Sequence, residues 1–160
     1  MDNRIENYRK SSEEIRIRSF DEFKVGDSAQ ITVKTSNETV EQFGKLTTDF
    51  NPLHFNDEFA AKTVFKKRLV HGAFSSGLIS AVIGMKLPGP GALYLDQYCK
   101  FRKPVYIGDK LTAIATVVEK KVKERDGKPP MKLLILETNV KNQNDVIVTE
   151  GKATILVQEM

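Results

Sequence analysis

The chain has 160 residues, a length that fits one domain with one core and needs neither disulfides nor metal ions as props. Hydrophobic residues at 40% and charged residues at 29% are the proportions of a soluble globular protein, and no apolar run approaches the roughly 18 residues of a membrane span. The net charge of +4 is dispersed among acids, which argues against a concentrated nucleic-acid-binding face, and the single cysteine, Cys99, excludes an internal disulfide.

Residues 1–19 carry charge of both signs without sustained periodicity or the apolar segment of a secretory signal. They read as a leader, partly disordered or lying on the surface of a single domain spanning 20–160 that begins at Phe20 or Phe23. With the lone cysteine, this favours a reducing, cytoplasmic setting. Ala29 to Thr35 alternates as a strand, with Ile31 and Val33 on one face. Thr35-Ser36-Asn37-Glu38 has the form of a capping box, and Val40, Phe43 and Leu46 follow at helical spacing, so a short helix is expected to end near Asp49.

Pro52 fixes its own φ and biases Asn51 away from the helical region, which sets Asp49 and His54 at either end of a chain turn. A further short helical turn is expected around Phe59 to Ala61. From Val70 the chain reads VHGAFSSGLISAVIGMKLPGPG, with Phe74, Leu78, Ala81, Val82 and Met85 at helical spacing and Ser76, Gly77, Ser80 and Gly84 keeping much of the surface small. Gly costs about 1 kcal/mol against Ala in a helix, so two interior glycines predict a sheet or backbone pressed close against them. LPGPG ends the helix.

Four strands are then expected, at Ala92 to Phe101, Lys110 to Glu124, Met131 to Asn142 and Val146 to Gln158, with turn chemistry in IGD, RDGKPP and NQND. Long neighbouring strands joined by short turns are antiparallel. One small-residue helix followed by such a meander is an α+β architecture, a curved antiparallel sheet wrapped around a central helix, the arrangement called a hot-dog fold. Its sheet edges make a pairing of two protomers the expected way of covering them.

Asp49 and His54 can hold a water between them, one taking a proton while the other delivers one, as in adding water to a double bond. Spacing alone leaves a second reading open, in which Asp49 only closes the Asn-Pro turn and His54 is a surface residue. The helix start at His71-Gly72 offers free N–H groups and no Cβ at Gly72, so a thioester oxygen could be polarised there; equally, the two residues could do no more than begin the helix. Ser80 could orient a carboxylate or be a packed small residue. Lys66-Lys67-Arg68 reads as a solvated loop or as a phosphate contact. No metal is expected, because His54 and His71 lie far apart in the chain and Cys99 sits in a strand; no nucleotide loop follows a strand, and no cofactor is expected.

Taken together, TTDFNPLHFNDEFAAKTVF, LVHGAFSSGLISAVIG and LPGPGALYLDQYCKFRKPVYIGD resemble the MaoC-like, (R)-specific enoyl-CoA hydratase and 3-hydroxyacyl-thioester dehydratase family, over about Phe20 to Val157. The resemblance implies a hot-dog homodimer that reversibly hydrates trans-2-enoyl-CoA to (R)-3-hydroxyacyl-CoA in fatty-acid or hydroxyalkanoate metabolism. It implies Asp49 and His54 as the catalytic pair, with Asp49 withdrawing the proton and His54 delivering one, although two coupled groups can exchange these roles. Asn51 would be their conformational partner, Gly72 N–H the oxyanion donor, and Ser80 a support for the acid. Lys66, Lys67 and Arg68 would meet CoA phosphates or the acidic surface of an acyl carrier protein. The alternatives are a dehydratase acting on acyl-carrier-protein thioesters, an acyl-CoA thioesterase, and a non-catalytic acyl-CoA-binding module.

Overall fold

The computed structural model describes residues 15–158. Most of the expected leader lies outside the described residues. Its last part packs on the domain: Ile17 lies against Gly91, the Arg18 guanidinium sits 4.1 Å from the Phe23 ring centroid, and Arg16 bonds Glu22 at 2.6 Å. Phe20, in a short 3-10 turn over Phe20–Glu22, and Phe23 are both buried in the core.

Strand β1 (Ser28–Lys34) leads into helix α1 (Asn37–Thr47). The cap of α1 is one residue later than expected. Ser36 accepts from Thr39 N–H while Thr39 reaches back to Ser36 N–H, and Thr35 is instead buried, donating to the carbonyls of Tyr106 and Asp109. Two short helices follow, α2 (Pro52–Phe55) and α3 (Asp57–Lys62), each started by an asparagine side chain: Asn51 accepts from Leu53 N–H and Asn56 from Phe59 N–H. Pro52 stands at the first position of α2, where its missing N–H costs nothing.

Helix α4 (Gly72–Met85) is the central helix. Leu78, Ile79, Val82 and Ile83 are buried against the sheet, each removing apolar surface worth about 1.5–3 kcal/mol. The two glycines do not do what their cost suggested. A Cβ at Gly77 or Gly84 would meet nothing within 4 Å, and Ala73, Gly77, Ser80 and Gly84 form an outward face of small residues. Met85, expected on the packed face, is also exposed.

Strands β2 (Ala92–Phe101), β3 (Lys110–Arg125), β4 (Lys128–Lys141) and β5 (Ile147–Val157) join β1 in one antiparallel sheet of order β1-β3-β4-β5-β2. On β3, Leu111, Ala113, Ala115 and Val117 alternate inward against α4. Register shifts at Val117/Glu119 in β3 and Tyr94/Asp96 in β2 bend these long strands around the helix. The RDGKPP turn is tighter than expected: only Asp126 and Gly127, the latter at φ 65°, lie between the strands, and Pro129 and Pro130 belong to β4. This is the α+β, hot-dog arrangement of a curved sheet around one helix. Among the described residues, no helix is long and apolar enough to cross a membrane.

Candidate active site

The site is assembled where α1 and α2 overhang the start of α4. Gly44 of α1 allows the approach: a Cβ there would lie 2.5 Å from Cζ of Phe55 and 3.2 Å from the Asp49 carbonyl oxygen. The chain leaves α1 through Thr48 in the left-handed region (φ 62°) and enters the turn. Asp49 closes that turn, its Oδ1 accepting from Asn51 N–H at 3.2 Å, and its side chain remains half exposed. The two readings of Asp49 are therefore compatible, since one carboxylate oxygen holds the turn while Oδ2 is left for other partners.

His54, in α2, is half-buried, with Nδ1 2.9 Å from the Leu69 carbonyl oxygen. A nitrogen facing a carbonyl must carry the proton, so neutral His54 presents its Nε2 lone pair. Burial holds its pKa below the usual 6.5; the Leu69 carbonyl opposes this, the neighbouring His71 adds to it and Asp49 opposes it. Asn51, expected between the two, caps α2 and fixes the backbone on which His54 stands.

The sequence offered His71 only as the start of a helix. Buried at the N-cap of α4, it places Nε2 3.0 Å from the Asp49 carbonyl oxygen, with Oδ2 of the same residue at 4.0 Å, so the hydrogen bond goes to the backbone and not to the carboxylate. Its ring stacks on that of His54 at 3.9 Å between centroids and 32° between planes. The two histidines, 17 positions apart in the chain, thus meet, and one ligand-type atom from each of Asp49, His54 and His71 lies within 4.8 Å of the others. That span fits a water held between Asp49 and His54. One nitrogen of each ring already faces a backbone carbonyl, which leaves one nitrogen per ring for any further partner.

His54 and Gly72 line the same apolar cavity of about 340 Å³, whose walls include Phe65, Leu69, Val70 and Phe101. Gly72 N–H, at the start of α4, has no acceptor among the described residues. A Cβ at Gly72 would touch the Phe101 ring at an ordinary 3.4 Å, so the space beside this glycine is already filled by that ring. Ser75, one turn further along α4 and buried, also lines the cavity, as does buried Thr149; neither hydroxyl has a hydrogen-bond partner among the described residues. The only hint of Ser75 in the sequence was a serine on an otherwise apolar helix face.

The remaining candidates sit elsewhere. Ser80 faces outward, eight residues and roughly 12 Å along α4 from Gly72, and makes no hydrogen bond to Asp49. Arg68 is engaged within the fold: its guanidinium bonds Asp57 at 2.8 Å, Asn37 at 2.9 Å and, at 3.4 Å, the His54 carbonyl oxygen. Lys66 and Lys67 are exposed on a separate hollow of about 400 Å³, which shares Phe65 with the cavity lined by His54 and Gly72. Cys99, half-buried in β2, takes a bond from Ser76 Oγ at 3.4 Å, in keeping with a structural thiol.

Residues 22–140 match the family model described as "MaoC like domain". The chain is 39% identical over 147 residues to the (R)-specific enoyl-CoA hydratase of Rhodospirillum rubrum, covering 92% of this chain and 96% of that one. It is 34% identical to a mitochondrial 3-hydroxyacyl-[acyl-carrier-protein] dehydratase of Arabidopsis thaliana, covering 86% of this chain and 79% of that one. Among solved structures, the unliganded R-hydratase PhaJ1 of Pseudomonas aeruginosa superposes with a TM-score of 0.77 at 35% identity, over 88% of this chain and 86% of that one.

Proposed function

The chain belongs to the MaoC-like domain family, and we propose that it is an (R)-specific enoyl-CoA hydratase, adding water reversibly to trans-2-enoyl-CoA to give (R)-3-hydroxyacyl-CoA. The observation that carries this is that His54 and Gly72, whose N–H has no acceptor among the described residues, line one apolar cavity, while the half-exposed Asp49 carboxylate stands beside His54, within the span of one bridging water.

The water oxygen attacks C3 and its proton passes to His54 Nε2. The C2=C3 electron pair moves into the thioester, where Gly72 N–H receives the negative charge at oxygen. The imidazolium then returns the proton to C2 and the carbonyl reforms, so that the net change is one added water. Asp49 Oδ2 orients the water and balances the imidazolium charge. This reading reverses the roles that the resemblance suggested; it is supported by the Leu69 carbonyl facing Nδ1, which favours the tautomer with Nε2 as proton acceptor.

A homodimer accompanies this reading. Strand β2 is a sheet edge bearing exposed Leu93, Leu95, Tyr98 and Phe101, and the outward face of α4 is built of small residues that admit close backbone approach. Sedimentation equilibrium returning the mass of a single chain would contradict it.

The acyl-carrier-protein reading shares the chemistry and is favoured by the Arabidopsis relative. The deciding experiment follows loss of the enoyl absorbance with crotonyl-CoA and with crotonyl-acyl carrier protein, alongside thiol release. Loss of absorbance without thiol release supports hydration and identifies the carrier. Thiol release alone makes the protein a thioesterase, and binding without either makes it a carrier-binding module.

A further inference from the structure

We propose that His71 is a positioning residue that fixes Asp49, His54 and Gly72 relative to one another, through an N–H that no other side chain of that shape supplies. The inference rests on the hydratase reading above and concerns the geometry of the same site. His71 is 2% exposed and makes three connections. Its Nε2–H donates to the Asp49 carbonyl oxygen at 3.0 Å, its ring stacks 3.9 Å from the His54 ring, and its own backbone leads directly into Gly72 N–H. The Phe43 and Phe55 rings close around it at 4.8 and 5.8 Å between centroids.

The chemistry of the ring points the same way. Nδ1 of His71 is sealed from solvent with no hydrogen-bond partner among the described residues, which costs stability at an apolar, ring-lined position where phenylalanine would pack without that loss. An imidazole at such a place is explained by what its other nitrogen does. Without that donor, the Asp49 carbonyl loses its tie to the start of α4, and the carboxylate is free to drift from the water it shares with His54.

The test compares His71→Phe, which keeps a stacked ring and removes the donor, with His71→Gln, whose amide can donate to the Asp49 carbonyl but cannot stack. A merely structural histidine predicts that activity follows melting temperature, with Phe the better tolerated. The positioning role predicts the opposite order: His71→Phe loses about 10- to 100-fold in kcat with KM within about threefold, while His71→Gln recovers part of kcat even where it melts lower. Parent-like kcat in His71→Phe, or Phe exceeding Gln, overturns the inference. If His71→Phe does not fold, His71→Gln decides alone: kcat within about tenfold of the parent supports the role and a larger loss overturns it. If His71→Gln does not fold, His71→Phe against the parent decides.

Should the parent turn over no thioester, the hydratase reading fails, and the positioning role is judged by the Phe50 amide resonance, since its peptide carries the Asp49 carbonyl. That signal is expected to shift and broaden in His71→Phe and to sharpen again in His71→Gln. The same signal in both variants overturns the role.

Discussion

Gly44→Ala is a small change, outside the reacting groups, that the structure predicts will damage catalysis more than folding. The new Cβ would stand 2.5 Å from Phe55 Cζ and 3.2 Å from the Asp49 carbonyl oxygen. Carbon contacts begin at about 3.5 Å, so the Phe55 ring must withdraw by about 1 Å. That ring packs on Phe50 at 5.5 Å and on His71 at 5.8 Å, and it is the residue next to His54, so the displacement is passed to both Asp49 and His54.

For stability the effects oppose each other. Ala gains about 1 kcal/mol over Gly within α1, while overpacking costs about 1–3 kcal/mol, leaving a net change between about zero and a loss of 2 kcal/mol. For rate, a misplacement of about 1 Å can cost about 100-fold. The assay pairs steady-state hydration of crotonyl-CoA with a thermal melt. A folded Gly44→Ala protein with kcat within about twofold of the parent would refute the claim that this helix contact sets the Asp49–His54 geometry.

The pH dependence has a worked sign. The pKa of His54 is lowered in the folded chain, chiefly by burial, so the imidazole stays neutral below the ordinary 6.5 and the acid limb of kcat/KM for hydration lies below pH 6.5; a limb above that value would contradict the assignment. Because the unfolded chain binds the His54 proton first, the stability contribution is full above pH 6.5, declines as pH falls below it and levels off below the folded pKa; His54→Gln should remove that component from melts taken across the range. In the basic loop, exposed Lys66 and Lys67 separate from engaged Arg68. Lys66→Met/Lys67→Met is expected to raise KM for crotonyl-CoA by about 3- to 30-fold with kcat unchanged, whereas Arg68→Met lowers the melting temperature through loss of bonds worth about 1 kcal/mol; the reverse pattern would move the phosphate contact to Arg68.

The hot-dog arrangement was legible because strand alternation and helical spacing are local signals. β2 begins and ends at Ala92 and Phe101, as its sequence indicated, and the edges of the other strands moved by no more than a few residues. The closeness of Asp49 to His54 was legible as a spacing. What spacing could not carry was the third dimension. Gly77 and Gly84 look alike whether a helix face meets a sheet or open space, and only the packing showed the latter. His71 read as a helix start because its two partners, Asp49 and His54, lie 22 and 17 residues upstream. Arg68 read as a free cation because Asn37, Asp57 and the His54 carbonyl come together around it only after α1, α2 and α3 fold against one another. The tautomer of His54 depended on one carbonyl, that of Leu69, which no motif names.

The central claim is that Asp49 and His54 add water to an enoyl thioester on one face. The most direct measurement is the absorbance of crotonyl-CoA with the parent, Asp49→Asn and His54→Gln, followed by chiral analysis of the product. The account predicts (R)-3-hydroxybutyryl-CoA from the parent and a loss of at least about 100-fold in both variants while they remain folded. Near-parent turnover in either folded variant, or an (S) product from the parent, would contradict it.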